Sequence, residues 1–441
     1  MSNLDPVNLT EELYKQNHEF LNESNVKYIE NEYIKLGFNM ELGGAITYLA
    51  EHGKENMINS HDWGRQIQMS YYSGPRPFSP EGVRKRECWK QFPWNPIQSG
   101  DCFFNTSKVV ESKFSKNEAY IKCIPMQWAL ENYPGDCFFE VKAKLDGKTV
   151  RVTSGIIANR EDKNQYSGTT ETPAVYTNGR YYRGITYLGD KPFTNAPLTV
   201  IHDKTKIKSK WAWHTNYPSE YWMALVDDND YGLGVYCPST ARVAVGFSPQ
   251  NPSFMGFGTE KDDQTGYIAP FEDLVFDHNL KHSYDYTLIV GDLDFIRKTA
   301  YELDKNVNHK KFKFLDKRHG FYYKNIIDQG YPINGKLSFD FKPNSAFGTR
   351  GVFIESNYSK ILLDAEFTGE IKGRLVCNVY KGLNEYFEGE VEPLEVEFDI
   401  FSNGERKTHE IDFSSIKEPI AGFEIIFDCA GHINLYELEI K

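Results

Sequence analysis

The chain has 441 residues, of which 40% are hydrophobic and 15% aromatic, including 28 Tyr and 30 Phe. That length exceeds a typical single domain, and the apolar content supports sizeable buried cores and argues against large-scale disorder. A net charge of −12 with no basic run disfavours nucleic acid and anionic membrane as partners, because both reward clustered Lys and Arg.

The first 26 residues read as an N-terminal arm containing a short helix over 9–22, with Thr10 at its N-cap and Glu11 and Glu12 in the first turn. From residue 27 the texture changes to strands. The pair Gly43-Gly44 marks a turn before an apolar run, and Asp146-Gly147 lies between two alternating segments, a strong hairpin signal. Segments 221–226, 232–237 and 284–290 are short and rich in β-branched or aromatic residues. One helix is predicted over 293–303, capped by Asp292, with apolar residues at Phe295, Ile296, Thr299-Ala300 and Leu303. The charged stretch 306–318 reads as a linker. Residues 319–441 alternate more cleanly: Leu337, Phe339 and Phe341 share one face, as do Leu394, Val396, Phe398 and Ile400, then Phe423, Ile425 and Phe427. The expected fold is mainly β, a large sandwich over 27–305 followed by a smaller one over 319–441.

Seven cysteines (Cys88, Cys102, Cys123, Cys137, Cys237, Cys377 and Cys429) form no C-x-x-C pair, a pattern of reduced, mostly buried thiols. The N-terminus has neither a basic nor an apolar signal region, and no run approaches 18 apolar residues, so a cytoplasmic protein is expected. His278 and His282 stand four apart in a segment, 274–290, that reads as a β-hairpin. With no His-Glu-x-x-His and no Cys/His cluster, neither metal nor cofactor is expected.

The chemistry concentrates between residues 61 and 101. Asp62, Arg65 and Gln68 lie three apart, and Trp89, Trp94, Asn95, Gln98 and Asp101 follow a Pro-rich loop. Aromatic faces stack on pyranose rings, and paired amides, carboxylates and guanidinium groups bond vicinal hydroxyls. Carbohydrate is therefore the expected ligand class. An internal Asp62–Arg65 pair that pins the loop explains the same residues equally well. Trp128, Tyr176, Trp213, His214 and Trp222 extend the set, with Trp211 beside them. Glycoside hydrolysis needs two carboxyl groups. Glu171, set among Thr and apolar residues just before Pro173, suits a carboxyl with a raised pKa, and Asp101 or Glu131 is the expected partner. Asp136 and Glu220 are further acids near aromatic motifs.

Residues 41–49, Glu-Leu-Gly-Gly-Ala-Ile-Thr-Tyr-Leu, resemble the first strands of the galactose mutarotase-like superfamily, and the size of 27–305 is similar to its twisted β-sandwich. Residues 319–441 resemble jelly-roll carbohydrate-binding modules. The resemblance implies a sugar-binding concave sheet. The paired histidines of a mutarotase are missing from their usual contexts. A glycoside hydrolase acting on an oligosaccharide is the expected activity. A polysaccharide lyase, using Tyr176 or His214 as base and Arg65 on a uronate, and a non-catalytic glycan-binding protein are the alternatives.

Overall fold

The computed structural model describes residues 23–206, 213–330 and 332–441. The helix expected over 9–22 and Trp211 lie outside the described residues. Among those described, antiparallel pairing builds four sheets, of ten, nine, six and five strands. The ten- and nine-stranded sheets stack around one apolar core that includes Phe38, Ile67, Val175, Ile268, Phe139 and Leu288. The six- and five-stranded sheets enclose a second core around Phe321, Phe339, Phe347, Phe423 and Leu438. The chain is thus mainly β, in two stacked-sheet units.

Local signals explain much of this. Strands Cys137–Asp146 and Thr149–Ala158 pair from Thr149 opposite Asp146, with Gly147 in the left-handed region at φ +57°. At the glycine pair, Gly43 and Gly44 have φ +60° and +75°, and a Cβ on Gly43 would meet Gln98 O at 2.1 Å. Only glycine suits both the conformation and the close approach. The helix runs Leu293–Asp304, and Asp292 caps it by accepting from the Phe295 N–H at 2.8 Å. Its buried stripe, Ile296 and Ala300, packs with Trp222 and Tyr236.

Two expectations are corrected. The segment over 274–290 is no hairpin: Thr265–Phe276 belongs to the ten-stranded sheet and Lys281–Asp292 to the nine-stranded sheet, so the chain crosses between layers there. Residues Lys311–Lys313, read as linker, pair with Gly431–Ile440 and join the second unit's six-stranded sheet. All seven cysteines are free thiols and five are buried. Among the described residues no helix is long and apolar enough to cross a membrane.

The two units are joined through buried charge. Arg318 donates to Asp277 Oδ2 at 3.0 Å in the first unit and to both oxygens of Asp328 at 3.0 Å in the second. Nearby, Arg350 of the second unit binds Asp273 of the first through two donors. Removing one partner of such a cluster leaves an uncompensated buried charge. Arg318→Met is therefore expected to lower the free energy of unfolding by about 3–5 kcal/mol, measured by urea denaturation, whereas Arg151→Met at an exposed pair with Asp146 should change it by less than about 1 kcal/mol.

Candidate functional site

The outer face of the ten-stranded sheet carries the site. Strand Tyr166–Asn178 pairs with Thr265–Phe276 so that Glu171 stands opposite Phe271 and Tyr176 opposite Tyr267. The register shifts between Glu171 and Val175. Directly opposed residues share a face, and alternate residues point to opposite faces. Ala174, Ala244, Tyr267 and Ala269 pave the outer face, with Tyr176, Trp213 and Phe271 packed on them. The Trp213 ring lies 4.5 Å from that of Tyr267 and 6.2 Å from that of Tyr176. Small alanines beneath large half-exposed rings leave an aromatic floor open on one side.

Glu171 is half-buried in this floor. The Tyr267 hydroxyl donates to its Oε1 at 2.7 Å. Burial pushes the Glu171 carboxyl up to about 7, and the Tyr267 hydrogen bond only partly opposes that shift. Burial first, and then the Glu171 charge, hold the phenols of Tyr72, Tyr176 and Tyr267 above the usual tyrosine range, so all three remain hydroxyl donors. At the rim Arg65 donates from Nη2 to Asp263 Oδ1 at 2.7 Å and from Nη1 to Asp263 O at 2.5 Å, and its Nε stands 3.1 Å from Asp62 Oδ2. Asp62 Oδ1 also accepts from the Gly64 N–H. The Asp62–Arg65 pair does pin the loop, and it does so beside Tyr176, on which both charges act.

The structure thus gathers Glu171, Tyr176, Trp213, Arg65 and Asp62. Trp128 joins them: a Cβ on Gly64 would meet Asp62 Oδ1 at 3.3 Å and the Trp128 ring at 3.4 Å. The remaining expected residues are engaged elsewhere. Asp101 is fully buried, and its carboxylate accepts from the backbone N–H groups of Phe103, Asn105 and Asn132 and from Asn105 Nδ2. It organises a loop. Glu131 is an exposed acid paired with Arg84 at 3.2 Å. Among the described residues no hydrogen bond or ion pair joins either acid to Glu171. Gln68 and Gln98 are buried and bonded to loop backbone at Trp63, Arg65 and Ser99, and at Met69 and Gly43, respectively. Asn95 is likewise interior, donating to Ser70 Oγ and Tyr71 O.

Among the tryptophans, Trp94 is a core residue whose Nε1 donates to Asp136, and Trp222 is a core residue bonded to Glu220. Glu220 itself is spent on Arg297, Tyr301 and the Phe193 N–H. Trp89 packs against Phe92, whose ring lies 6.0 Å from that of Tyr72, and Trp128 packs on the Leu42, Ala45 and Trp63 cluster with its ring edge at Gly64, next to Asp62. His214 follows Trp213 on the same strand and so points the other way. It stands opposite core residue Val245, 6.5 Å from the His202 ring, and burial lowers its pKa. It is removed from the open face and cannot serve there as a base. Tyr72, Tyr267, Phe271 and Asp263 were missed. Tyr267, Ala269 and Phe271 do alternate along one strand face, but only the register with residues 166–178 puts them beside Glu171.

A scan against protein-family models finds no match, and neither does a search of curated proteins. Among solved structures the chain is similar to a galactose mutarotase related enzyme from Lactobacillus acidophilus, at 10% identity over 60% of this chain and 97% of that one, with a TM-score of 0.40. It is also similar to a galactose mutarotase-like protein from Lactobacillus casei ATCC 334, at 12% identity over 60% and 99%, with a TM-score of 0.38. A polysaccharide lyase matches at 10% identity over 90% of this chain and 46% of that one, with a TM-score of 0.34. The architecture described here rests on the strand registers themselves.

The raised Glu171 pKa has a consequence for folding. The folded state holds this proton more tightly than the unfolded chain, so the associated stability is fully present below about pH 4.5 and is lost as pH rises through about 7. Glu171→Gln keeps an acceptor for Tyr267 and removes the titration. The variant is expected to exceed the wild type in stability at pH 8, by up to about 3 kcal/mol, with the difference vanishing near pH 4. Denaturant unfolding at the two pH values checks this.

Proposed function

We propose that the outer face of the ten-stranded sheet binds a carbohydrate and that Glu171 is the general acid/base of a glycoside hydrolase. The observation that carries this reading is a single carboxyl, pushed up to about 7 by burial, set in an open floor of Trp and Tyr rings. A group poised near neutrality is populated in both protonation states, which suits proton transfer at a glycosidic oxygen. Trp213 and Tyr176 offer ring faces to a pyranose. The Tyr267 hydroxyl fixes the Glu171 carboxyl in rotation and leaves its second oxygen for substrate. The two-carboxyl requirement falls to Asp62, whose charge acts on Tyr176 along with that of Glu171. This replaces Asp101 and Glu131, both engaged elsewhere.

A polysaccharide lyase is the second reading, and one observation favours it. Arg65 uses three of its five N–H donors on Asp62 and Asp263, leaving two for a uronate carboxylate beside Tyr176.

Incubation with a panel of oligosaccharides and aryl glycosides, followed by anion-exchange chromatography, is expected to yield a new reducing sugar. An unsaturated product absorbing in the near ultraviolet would instead establish elimination. With the active substrate in hand, Glu171→Gln should lower kcat by about 10²–10⁴-fold while leaving KM within a few-fold. Wild-type turnover by Glu171→Gln would refute the role given to this residue.

A further inference from the structure

A guanidinium group without a hydrogen bond stands on the outer face, in the same row as Glu171. Rows of residues cross that face from strand to strand. In one row Trp213 pairs with Gly246, Gly246 with Tyr267, and Tyr267 with Tyr176. Thr215, Ala244 and Ala269 form the next. Two positions further along their strands, alternation returns Arg242 and Phe271 to the same face, and Glu171 stands opposite Phe271. The Phe271 N–H donates to Arg242 O at 2.8 Å, and the Arg242 guanidinium lies over the Phe271 ring, 5.4 Å from its centre. Arg242 and Glu171 thus flank Phe271, two strand spacings or about 10 Å apart across the sheet.

Arg242 makes no side-chain hydrogen bond among the described residues. Nε and Nη1 are buried and unbonded, whereas Nη2 is neither bonded nor enclosed, and 17% of the side-chain surface is exposed. Asp273 Oδ1 is 3.6 Å from Nη1, but that carboxylate is already engaged. It accepts from Thr169 Oγ1 at 2.7 Å and from Arg350 Nη2 and Nε at 2.5 and 3.0 Å. Arg350 is itself 40% exposed and leaves Nη1 unused. Two guanidinium groups therefore share one carboxylate. Lys324 and Glu424, close by, cancel each other at 2.5 Å. Burial, and then the charge of Arg350, push the Arg242 guanidinium below the usual arginine range, though it stays charged. Burial raises the Tyr217 phenol and both guanidinium charges oppose the rise, which puts Tyr217, two residues beyond Thr215, beside them.

An excess positive charge at this point of a chain with net charge −12 calls for an anion. A planar, many-donored cation with an open nitrogen suits an oxyanion, either a carboxylate or a sulfate ester. We propose that Arg242, aided by Arg350, binds the carboxylate or sulfate of an acidic sugar unit, so that the outer face selects an anionic saccharide over a neutral one. This rests on the outer face being the saccharide surface, and it applies to hydrolysis and elimination alike. Because Arg242 lies across Phe271 from Glu171, the charged sugar is a neighbour of the unit that Glu171 meets.

The test uses the full chain carrying Glu171→Gln, which prevents turnover, with and without Arg242→Gln or Trp213→Ala. Calorimetry measures binding of galacturonate, mannuronate and chondroitin oligosaccharides beside their methyl esters, and of sulfated carrageenan oligosaccharides beside the desulfated ones. Arg242→Gln breaks no hydrogen bond and leaves Asp273 with Arg350, so folding is at little risk. At least one anionic oligosaccharide is expected to bind about tenfold or more tightly than its neutral counterpart. Arg242→Gln should abolish that preference, Trp213→Ala should weaken both members of the pair, and added NaCl should shrink the preference. Equal binding of the paired probes, or a preference that survives Arg242→Gln, overturns the proposal while leaving the saccharide surface in place if Trp213→Ala still weakens binding. Binding untouched by Trp213→Ala, or no binding at all, refutes the saccharide surface itself and the proposal with it.

Discussion

The pairing of Tyr166–Asn178 with Thr265–Phe276 is the constraint on which the candidate site depends. Its register puts Glu171 and Phe271 on the outer face and Thr170 and Glu272 on the inner one. A slip by one residue would exchange the faces, carrying Val175 and Ile268 out of the core and the aromatic floor into it. Burial of the apolar half of each strand therefore fixes which acid meets the open face. The acids acquire different settings from the same two strands: Glu171 among phenols, Glu272 beside an imidazole.

Charge burial does the corresponding work between the units. Asp273 and Asp277 leave the first unit near the end of Thr265–Phe276 and meet Arg350 and Arg318 of the second. Each guanidinium is planar and many-donored, so it can satisfy two partners from different sheets at once. Arg318 spans Asp277 and Asp328 in this way. The same strand thus supplies the outer aromatic floor, the inner carboxylate and an anchor for the second unit.

The outer face is polar in a restricted sense. Its one carboxyl with a strongly raised pKa is surrounded by hydroxyls that keep their protons, and the rim cation Arg65 is already held by two aspartates. Around Glu171 the surface offers donors and ring faces with little uncompensated charge, the balance that a hydroxyl-rich ligand needs. The loop polar residues at 95–101 have another task. Buried amides and Asp101 satisfy backbone groups that would otherwise be unpaired, and so hold the strands' connecting loops against the sheet.

The sequence by itself determined the β texture, the Asp146-Gly147 hairpin, the capped helix after Asp292 and the alternating faces of the second unit. These depend on period-two patterning and on turn or cap residues acting within a few positions. It also singled out Glu171, from its apolar and hydroxyl neighbours, and the Asp62–Arg65 pair. Tertiary structure alone decided that Asp101, Gln68, Asn95 and Gln98 turn inward to bond loop backbone, and that His214 faces the core while adjacent Trp213 faces out. It alone set Tyr267 against Glu171 across 96 positions and Glu272 against His282 on opposing sheets. The physical reason is common to all of these. A polar side chain near an aromatic one reads the same whether it bonds a ligand or a backbone amide, and only strand register and sheet stacking assign it to one face or the other.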